Sequence, residues 1–500
     1  MRRSMLVLLA AVLFVGASDA PALKVVEDAA KALGGKERVQ AVKTLVIEGE
    51  GTGRNIGQNL TPDPAPAKTN PAVYNTNLYK ITGFKQAIDL ENGRMRTEQL
   101  RTPLFPFVNP PARQNAGLDG DVAYNIGGNG NAARASALVA RDRRAELRRN
   151  PIAIVRAALD ASATVSNLRR QGNRQVVDVT TANGDKLTLA VDNTTKLPVR
   201  VTSMSDNANL GDSLVETTFA DYQDVNGLKL PQHVVTTFDR YLQLDLQVSK
   251  YSVNTDAGAL AASDAVKSAA VPPAITPATA NAEELGKGIW LLTPMPGGHR
   301  SVVLEFNDHL TLFEVPGSEA ITQAYIAKAK SLRPDKPLTH AIVSHHHFDH
   351  EAGLRAAVAE GLTIITYKAN EAPFKELMQR KHTIAPDTLA RNPKPIKLQL
   401  LDDELTLKDQ AMEVRLYHVL NDVHAATQLM GYVPQEKMII HADMYNQDWS
   451  TQIWGDVFLQ NLERRKLVVE KVVGVHQSKP QTYAEMVQTI RAAQPKPSGN

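Results

Sequence analysis

The sequence predicts a mostly β N-terminal domain followed by an α/β domain, so the whole chain combines the α+β and α/β classes. Asn-Gly pairs at residues 92–93, 183–184 and 226–227 lie between alternating apolar runs, which is the strongest short hairpin signal. From about residue 286, short apolar runs alternate with helical stretches, as in layered α/β domains. The histidines mark the same change of character, since His233 is the one histidine of 13 that precedes residue 299.

Length and composition exclude several classes of protein. A chain of 500 residues is long enough for two or three domains, each with its own core. Its net charge of +3, from 56 basic and 53 acidic residues, gives no reason to expect a nucleic-acid partner. The absence of cysteine excludes disulfides, thiolate metal sites and cysteine nucleophiles. Any metal must therefore be held by nitrogen and oxygen ligands.

The first 22 residues are predicted to be a secretory signal peptide. Arg2 and Arg3 precede a short apolar stretch over residues 5–16, and small residues then fit cleavage after Ala17 or after Ala22. We expect a periplasmic or secreted mature protein without a transmembrane segment. The alternative is an N-terminal anchor helix that is retained.

Residues 23–255 are assigned to the β-rich N-terminal domain. Helices are predicted over residues 23–33 and 152–159, and a long polar loop over residues 53–75. The strands are predicted over residues 42–48, 175–181, 186–192, 198–204, 234–238 and 242–253. The arginine-rich run over residues 141–149 is interpreted as a solvated helix face, with an anion-binding patch as the alternative.

Residues 256–285 are rich in alanine, proline and threonine, which is typical of an interdomain linker. The α/β domain is assigned to residues 286–495. Its strands are predicted over residues 288–292, 301–306, 310–315, 339–343 and 363–366, and its helices over residues 322–331 and 351–359.

A cluster of histidines follows the apolar run at residues 341–343. His345 and His347 are two residues apart, so in extended backbone both rings point to one face and can bind one ion. Asp349 and His350 follow where a loop turns into a helix, and they can face a second ion. Asp349 can also orient a metal-bound hydroxide, which makes it the catalytic candidate, while His346 points away.

Three further metal-ligand candidates lie at strand ends downstream. His424 precedes the apolar run at residues 429–433, Asp443 follows the run at residues 438–442, and His476 follows the run at residues 472–475. The ends of buried strands are where α/β sheets place their sites.

The chain carries the motif H-x-H-x-D-H, followed by a single histidine, an aspartate after a strand and a late histidine. This order resembles the metallo-β-lactamase superfamily, over about residues 286–490. The resemblance implies an αβ/βα sandwich with a two-metal site at one edge. By that pattern one ion takes His345, His347 and His424. The other takes Asp349, His350 and His476, and Asp443 bridges both.

The chain departs from the common family pattern at two places. Asn421, Asp422 and Val423 precede His424 where the family often has a glycine-rich approach, and Val475 and Gln477 flank His476 where glycines are common. A strand-end acidic residue, often aspartate in the family, is here Glu314.

These observations predict an exported zinc-dependent hydrolase that uses a metal-bound hydroxide on an ester, thioester or amide-type bond. The expected cofactor is two Zn²⁺ ions, with iron as the alternative metal. The expected partner is a small-molecule substrate of acyl or lipid-like character, with no nucleic acid, and no oligomeric state is implied.

Two other functions remain open. A mononuclear-iron oxidoreductase on the same fold resembles the same pattern and would use His345, His424 and Asp443. The N-terminal half weakly resembles periplasmic lipoprotein-carrier half-barrels, which implies an exported lipid- or acyl-binding protein with an accessory metal domain.

Overall fold

The N-terminal half forms one large antiparallel sheet. The computed structural model describes residues 18–62, 78–104 and 111–493. The strands of this sheet are β1 (Thr44–Arg54), β2 (Leu78–Asp89), β3 (Arg94–Pro103), β4 (Ala112–Asp119), β5 (Val122–Ile126), β6 (Ala132–Arg134), β7 (Thr164–Gln171), β8 (Arg174–Thr180), β9 (Lys186–Asp192), β10 (Pro198–Asn207), β11 (Gly211–Val225), β12 (Leu228–Phe238) and β13 (Tyr241–Val253). Their order is β6-β5-β4-β3-β2-β1-β13-β12-β11-β10-β9-β8-β7, so pairing of β1 with β13 joins two meanders.

Turn chemistry explains three of the hairpins. The Asn-Gly pairs predicted as turns connect β2 to β3, β8 to β9 and β11 to β12. At the last of these, Asn226 and Gly227 have φ values of 54° and 80°. Two successive positive φ angles define the type I′ turn, whose twist matches that of paired strands. The hairpin predictions at these three positions are confirmed.

Four helices cover one face of this sheet: α1 (Ala20–Ala32), α2 (Lys36–Gln40), α3 (Ala137–Arg148) and α4 (Pro151–Ala158). Asn150 caps α4, because its side chain accepts from the backbone N–H groups of residues 152 and 153, and Pro151 occupies the first turn. Val26, Ile154 and Leu189 meet in the apolar core between the helices and the strands.

The end of the predicted signal peptide falls inside α1. Residues 1–17 lie outside the described residues, but Ala20 to Ala22 belong to the helix and Ala22 is buried. Ser18 Oγ donates to the carbonyl of Ala163, and Asp19 N donates to that of Val165. A boundary at residue 22 therefore divides a packed helix.

The predicted linker contains regular structure. It includes α5 (Asp264–Ser268) and β14 (Thr279–Gly286), and β14 pairs antiparallel with the next strand, β15 (Ile289–Met295). The second sheet therefore begins before residue 286, the predicted start of the α/β domain. Most side chains of β14 are exposed because it is an edge strand, so its composition resembles that of a linker.

The C-terminal half contains two sheets. The first has the order β14-β15-β16-β17-β18-β19-β20, and its remaining strands are β16 (Ser301–Glu305), β17 (Leu310–Phe313), β18 (Leu338–Ile342), β19 (Thr363–Tyr367) and β20 (Lys397–Leu401). The second runs in order from β21 to β26, namely β21 (Glu404–Lys408), β22 (Glu413–His418), β23 (Leu429–Val433), β24 (Met438–His441), β25 (Lys471–Gly474) and β26 (Gln481–Thr482).

The two sheets share one apolar core and carry helices on their other faces. Leu304 and Ile342 of the first sheet lie in the same buried cluster as Leu416 and Ile440 of the second. The helices are α6 (Glu319–Leu332), α7 (Phe348–Glu351), α8 (Leu354–Glu360), α9 (Glu371–Gln379), α10 (Thr388–Arg391), α11 (Gly455–Arg464) and α12 (Tyr483–Ala492). The helices α6 and α8 pack on the first sheet, and α11 and α12 on the second.

The C-terminal half therefore mixes strands and helices in layers, and the N-terminal half is mostly β. Both observations are compatible with the predicted fold class. In the ranges described, the structure contains no helix long and apolar enough to cross a membrane.

Candidate metal centre

The seven residues predicted as metal ligands converge at one edge of the two C-terminal sheets. His345 and His347 follow β18, and Asp349 and His350 lie in α7 directly after it. Asp443 and His476 follow β24 and β25, which are parallel neighbours, so their carboxyl ends meet at the same edge. His424 comes from the loop between β22 and β23.

The first donor set contains His345, His347, His424 and Asp443. One donor atom from each lies within 4.8 Å of the others, and all four residues are buried. The Oδ2 atom of Asp443 is 2.7 Å from His424 Nε2 and 3.7 Å from His345 Nε2. Ligands about 2.0–2.1 Å from a tetrahedral ion stand about 3.3 Å apart, so the spacing fits one zinc-sized ion.

The second donor set contains three predicted ligands and one residue that the sequence analysis missed. Asp349, His350 and His476 are joined by His299, again with all donor atoms within 4.8 Å. His350 Nε2 is 3.0 Å from His476 Nε2, and Asp349 Oδ2 is 3.7 Å from His476 Nε2. Burial, reinforced by the nearby His476 and His350, lowers the pKa of His299 to about 4, so its ring is neutral at pH 7.

Asp443 belongs to both sets. Its Oδ2 faces the first set, while its Oδ1 lies 3.0 Å from His350 Nε2 and 2.9 Å from His476 Nε2. Burial alone would raise the pKa of this carboxyl, but His350 and His476 outweigh it and lower the pKa well below its ordinary value. The side chain is therefore a carboxylate with one oxygen for each set.

Within the described part of the chain, all three histidines of the first set have an unpartnered ring nitrogen, which in His424 is Nδ1. His345 Nε2 and His347 Nδ1 are buried and have no hydrogen-bond partner among the described residues. Their other ring nitrogens are engaged, His345 Nδ1 with the Ser344 hydroxyl at 2.8 Å and His347 Nε2 with the carbonyl oxygen of Asn59 at 2.8 Å. Metal-binding histidines usually hold their second nitrogen in this way.

Burial lowers the pKa of His345 and of His347 well below its ordinary value, so both rings are in the neutral form that binds metal. The donor set and its protonation therefore fit a metal ion.

A segment of the N-terminal half forms one wall of this centre. We call residues 55–61, which follow β1, the docking segment. Asn59 O accepts from His347 Nε2 and also from His346 Nε2 at 2.7 Å. Gln58 Nε2 donates to Asp349 Oδ1, and Phe348 N donates to Gly57 O at 3.2 Å. This segment lies in the predicted loop over residues 53–75, of which residues 63–75 are outside the described residues.

Glu314 lies behind the second set. Its Oε1 accepts from Ser344 N at 3.1 Å, and its Oε2 is 3.6 Å from His350 Nδ1. Glu314 has φ of 84°, a left-handed conformation that side chains rarely adopt, so the fold holds it in place against strain. The carboxylate therefore orients the His350 ring toward the other donors.

Three other histidines of this region serve the packing. His346 Nδ1 contacts the Thr427 hydroxyl at 2.7 Å, and burial lowers the pKa of His346 to about 4. His418 Nε2 donates to the carbonyl of Ala426 at 2.9 Å. His441 is fully buried against Phe458. None of the three belongs to either donor set.

A cavity of about 440 Å³ opens onto both donor sets. Trp449 and Trp454 line it from the C-terminal half, and Ile56 and Gln58 line it from the docking segment. A volume in this range admits a small molecule. The arrangement can therefore hold two ions and present them to a substrate of limited size.

Comparison with known proteins found structural similarity to several solved structures. No protein-family model matches the chain, and no curated protein matches it. A metallo-β-lactamase from Pontibacter korlensis is similar at 14% identity, over 44% of this chain and 100% of that one, with a TM-score of 0.33.

Two further metallo-β-lactamases are similar at the same TM-score. The protein from Hirschia baltica is 16% identical over 44% of this chain and 99% of its own. The protein from Erythrobacter litoralis is 15% identical over 43% of this chain and 96% of its own, with a TM-score of 0.33.

Proposed function

We propose that this protein is an exported, metal-dependent hydrolase that cleaves an ester, thioester or amide-type bond in a small molecule. Two Zn²⁺ ions are the expected cofactor, held in an αβ/βα sandwich of the metallo-β-lactamase superfamily. The observation that supports it is the pair of donor sets that share Asp443, each within 4.8 Å, beneath one cavity.

The donor chemistry favours zinc. Both sets consist of imidazole nitrogens and carboxylate oxygens, and the chain has no thiolate to offer. Bound ions would supply Lewis acidity and lower the pKa of a contacting water from 15.7 to about 7.

The chain's own groups supply the rest of the chemistry. Gln58 holds Asp349 Oδ1, which leaves Oδ2 directed at the second donor set. Burial opposes ionisation of Asp349, but His350 and the other nearby histidines lower its pKa below its ordinary value. Asp349 is therefore an ionised acceptor at neutral pH, able to orient an attacking water. The two tryptophans give the cavity an apolar wall beside the donor sets.

The single-ion oxidoreductase accounts for fewer of these contacts. An iron ion on His345, His424 and Asp443 would leave the second set without a role. The hydrolase uses both sets, and it is the function we prefer.

A binding role for the N-terminal half has one specific observation in its favour. A separate cavity of about 380 Å³ lies between its sheet and α3. Phe84, Phe219 and Leu246 give it an apolar part, and Arg101 and Arg149 give it a cationic part. Burial lowers the pKa of both arginines because it disfavours their charge. An anionic ligand would offset that cost, so the cavity favours one. An acyl chain with a carboxylate or phosphate head matches both parts.

Metal analysis and turnover on the purified full-length protein test the hydrolase. We expect two equivalents of zinc, turnover on a panel of ester, thioester and lactam substrates, and loss of turnover in His345→Ala. The matched control is His309→Ala, because His309 pairs with Asp308 and lies outside both donor sets.

Less than one equivalent of metal, with His345→Ala as active as the parent protein, would contradict the hydrolase. Binding of a fluorescent fatty acid that is weakened by Arg149→Met would then favour the carrier. Fractionation of cells that express the full chain tests export, which predicts the protein in the periplasm or the medium.

A further inference from the structure

His299 reaches the second donor set from an element that carries none of the other ligands. It lies in the loop between β15 and β16, after Gly297 and Gly298. Its Nδ1 is 3.8 Å from Asp349 Oδ2. Its ring centre is 3.9 Å from that of His476 and 5.6 Å from that of His350.

The backbone on both sides of His299 is fixed. The buried Tyr325 donates its hydroxyl proton to the carbonyl of His299. The next residue, Arg300, donates its N–H to the carbonyl of Val475 at 2.9 Å, and Val475 directly precedes His476. The loop is therefore tied to the strand end that carries another ligand, and the ring places Nδ1 3.4 Å from the carbonyl oxygen of Asp349.

We propose that His299 is a metal ligand of the second ion, a proposal that rests on the hydrolase described above. The second ion then has Asp349, His350, His476 and His299, together with one oxygen of Asp443. These are three nitrogens and two oxygens, against three nitrogens and one oxygen at the first ion.

Five protein donors change the coordination number expected at the second position. Four donors complete the tetrahedral sphere that zinc prefers, whereas five donors and one water complete an octahedron. The second position therefore favours an ion with five or six nitrogen and oxygen ligands, a sphere to which zinc can expand, and it binds that ion more tightly because of His299. About a quarter of the His299 side chain is exposed (26%) and the residue lines the cavity, so its nitrogen is accessible to a substrate group.

The experiment compares the full-length protein with His299→Gly in stepwise metal titrations against a competing chelator. The loop already contains two glycines, so the variant keeps the local backbone permissive. We expect affinity for one equivalent to fall by at least about 10-fold, the scale found when support of a metal site is lost. Affinity for the other equivalent should stay unchanged, and free imidazole should restore the lost affinity.

Cobalt substitution provides a readout that does not depend on activity. In the Co²⁺-loaded protein, the absorption of one ion should intensify in His299→Gly, because a lower coordination number gives stronger d–d bands. The matched control is again His309→Ala, which should change neither affinity nor spectrum.

The possible outcomes separate this inference from the proposed function. If the parent protein binds no metal, the hydrolase itself fails. If the parent and His299→Gly bind two ions with equal affinities and the same cobalt spectrum, the hydrolase stands and the ligand role of His299 is overturned. Loss of turnover with unchanged metal affinity would also overturn it, because His299 would then act on substrate.

Discussion

Replacing Gly57 by alanine tests whether the docking segment is part of the metal centre. Gly57 has φ of 77°, and a Cβ atom there would lie 2.1 Å from Cγ of Phe348 and 2.3 Å and 2.5 Å from its two Cδ atoms. Phe348 lies between the metal-ligand candidates His347 and Asp349. The substitution therefore forces either the motif or the docking segment to move.

The size of the effect follows from two costs. A left-handed backbone at a residue with a Cβ costs about 1–2 kcal/mol, and overpacking of a buried contact costs about 1–3 kcal/mol. Together, about 2–5 kcal/mol acts against docking of the segment. Undocking removes the Asn59 carbonyl from His347. Loss of such a partner typically weakens metal binding about 10–100-fold, which corresponds to about 1.4–2.7 kcal/mol.

The assay is chelator competition on the full-length protein, with thermal denaturation alongside. The matched control is Gly83→Ala, because Gly83 has φ of 58° but no atom within 4 Å of the added Cβ. The control shares the backbone strain without the clash, so it should lower the melting temperature slightly and leave metal affinity unchanged. Equal metal affinities in Gly57→Ala and Gly83→Ala would refute the reasoning.

Two further substitutions have defined outcomes. Glu314→Gln keeps an oxygen for Ser344 N but removes the charge 3.6 Å from His350 Nδ1. We expect about 10-fold weaker metal binding at the second site. A chelator competition in which only the first site lost affinity would contradict this expectation. Burial, together with Asp212 and Asp142, raises the pKa of Asp206 from 3.8 to about 6. The folded state thus binds the proton of the Asp206 carboxyl more tightly than the unfolded state does. The free energy of unfolding therefore falls as pH rises from about 4 to 6. Asp206→Asn should therefore melt at a higher temperature than the parent at pH 7.5, with the difference vanishing near pH 4. An equal difference at both pH values would contradict the pKa shift.

The predicted metal ligands came from local patterns that the fold preserves. Spacing of two residues places His345 and His347 on one face of extended backbone, and strand ends place Asp443 and His476 at one sheet edge. These rules need no knowledge of distant parts of the chain. The structure therefore brings together residues that strand periodicity and loop position had already selected.

His299 and the docking segment lay beyond such rules. Gln58 is 291 residues from Asp349, and its loop has no pattern typical of a metal site. His299 follows two glycines in a loop whose sequence has no pattern beyond that of a connection between two strands. One signal pointed to it, namely that it is the first histidine after the long histidine-poor half.

The arginine run shows a different limit of sequence reasoning. The solvated helix face predicted for residues 141–149 is wrong for several members. Arg143 donates to the carbonyls of Gly117 and Tyr124, and Arg149 lines the N-terminal cavity. Helical spacing of polar residues is the same whether the face meets water or a polar cavity, so periodicity could not separate the two.

The contacts of Asn59 link docking of the two halves to metal binding. Its carbonyl accepts from both His346 and His347 and so uses both of its lone pairs. If the segment left, two buried ring N–H groups would lose their acceptor, at about 1–3 kcal/mol each.

If His347 Nδ1 held an ion, the proton of the ring would stay on Nε2, the nitrogen that donates to Asn59. Because coupling between two equilibria is reciprocal, metal must stabilise docking by the same factor by which docking strengthens metal binding. Chelation should therefore speed amide hydrogen exchange over residues 57–61, while exchange in β8 and β9, which contribute no residue to the donor sets or the cavity, stays constant. Unchanged exchange in the docking segment after complete metal removal would show that the two halves are joined independently of the metal, and that Asn59 serves packing alone.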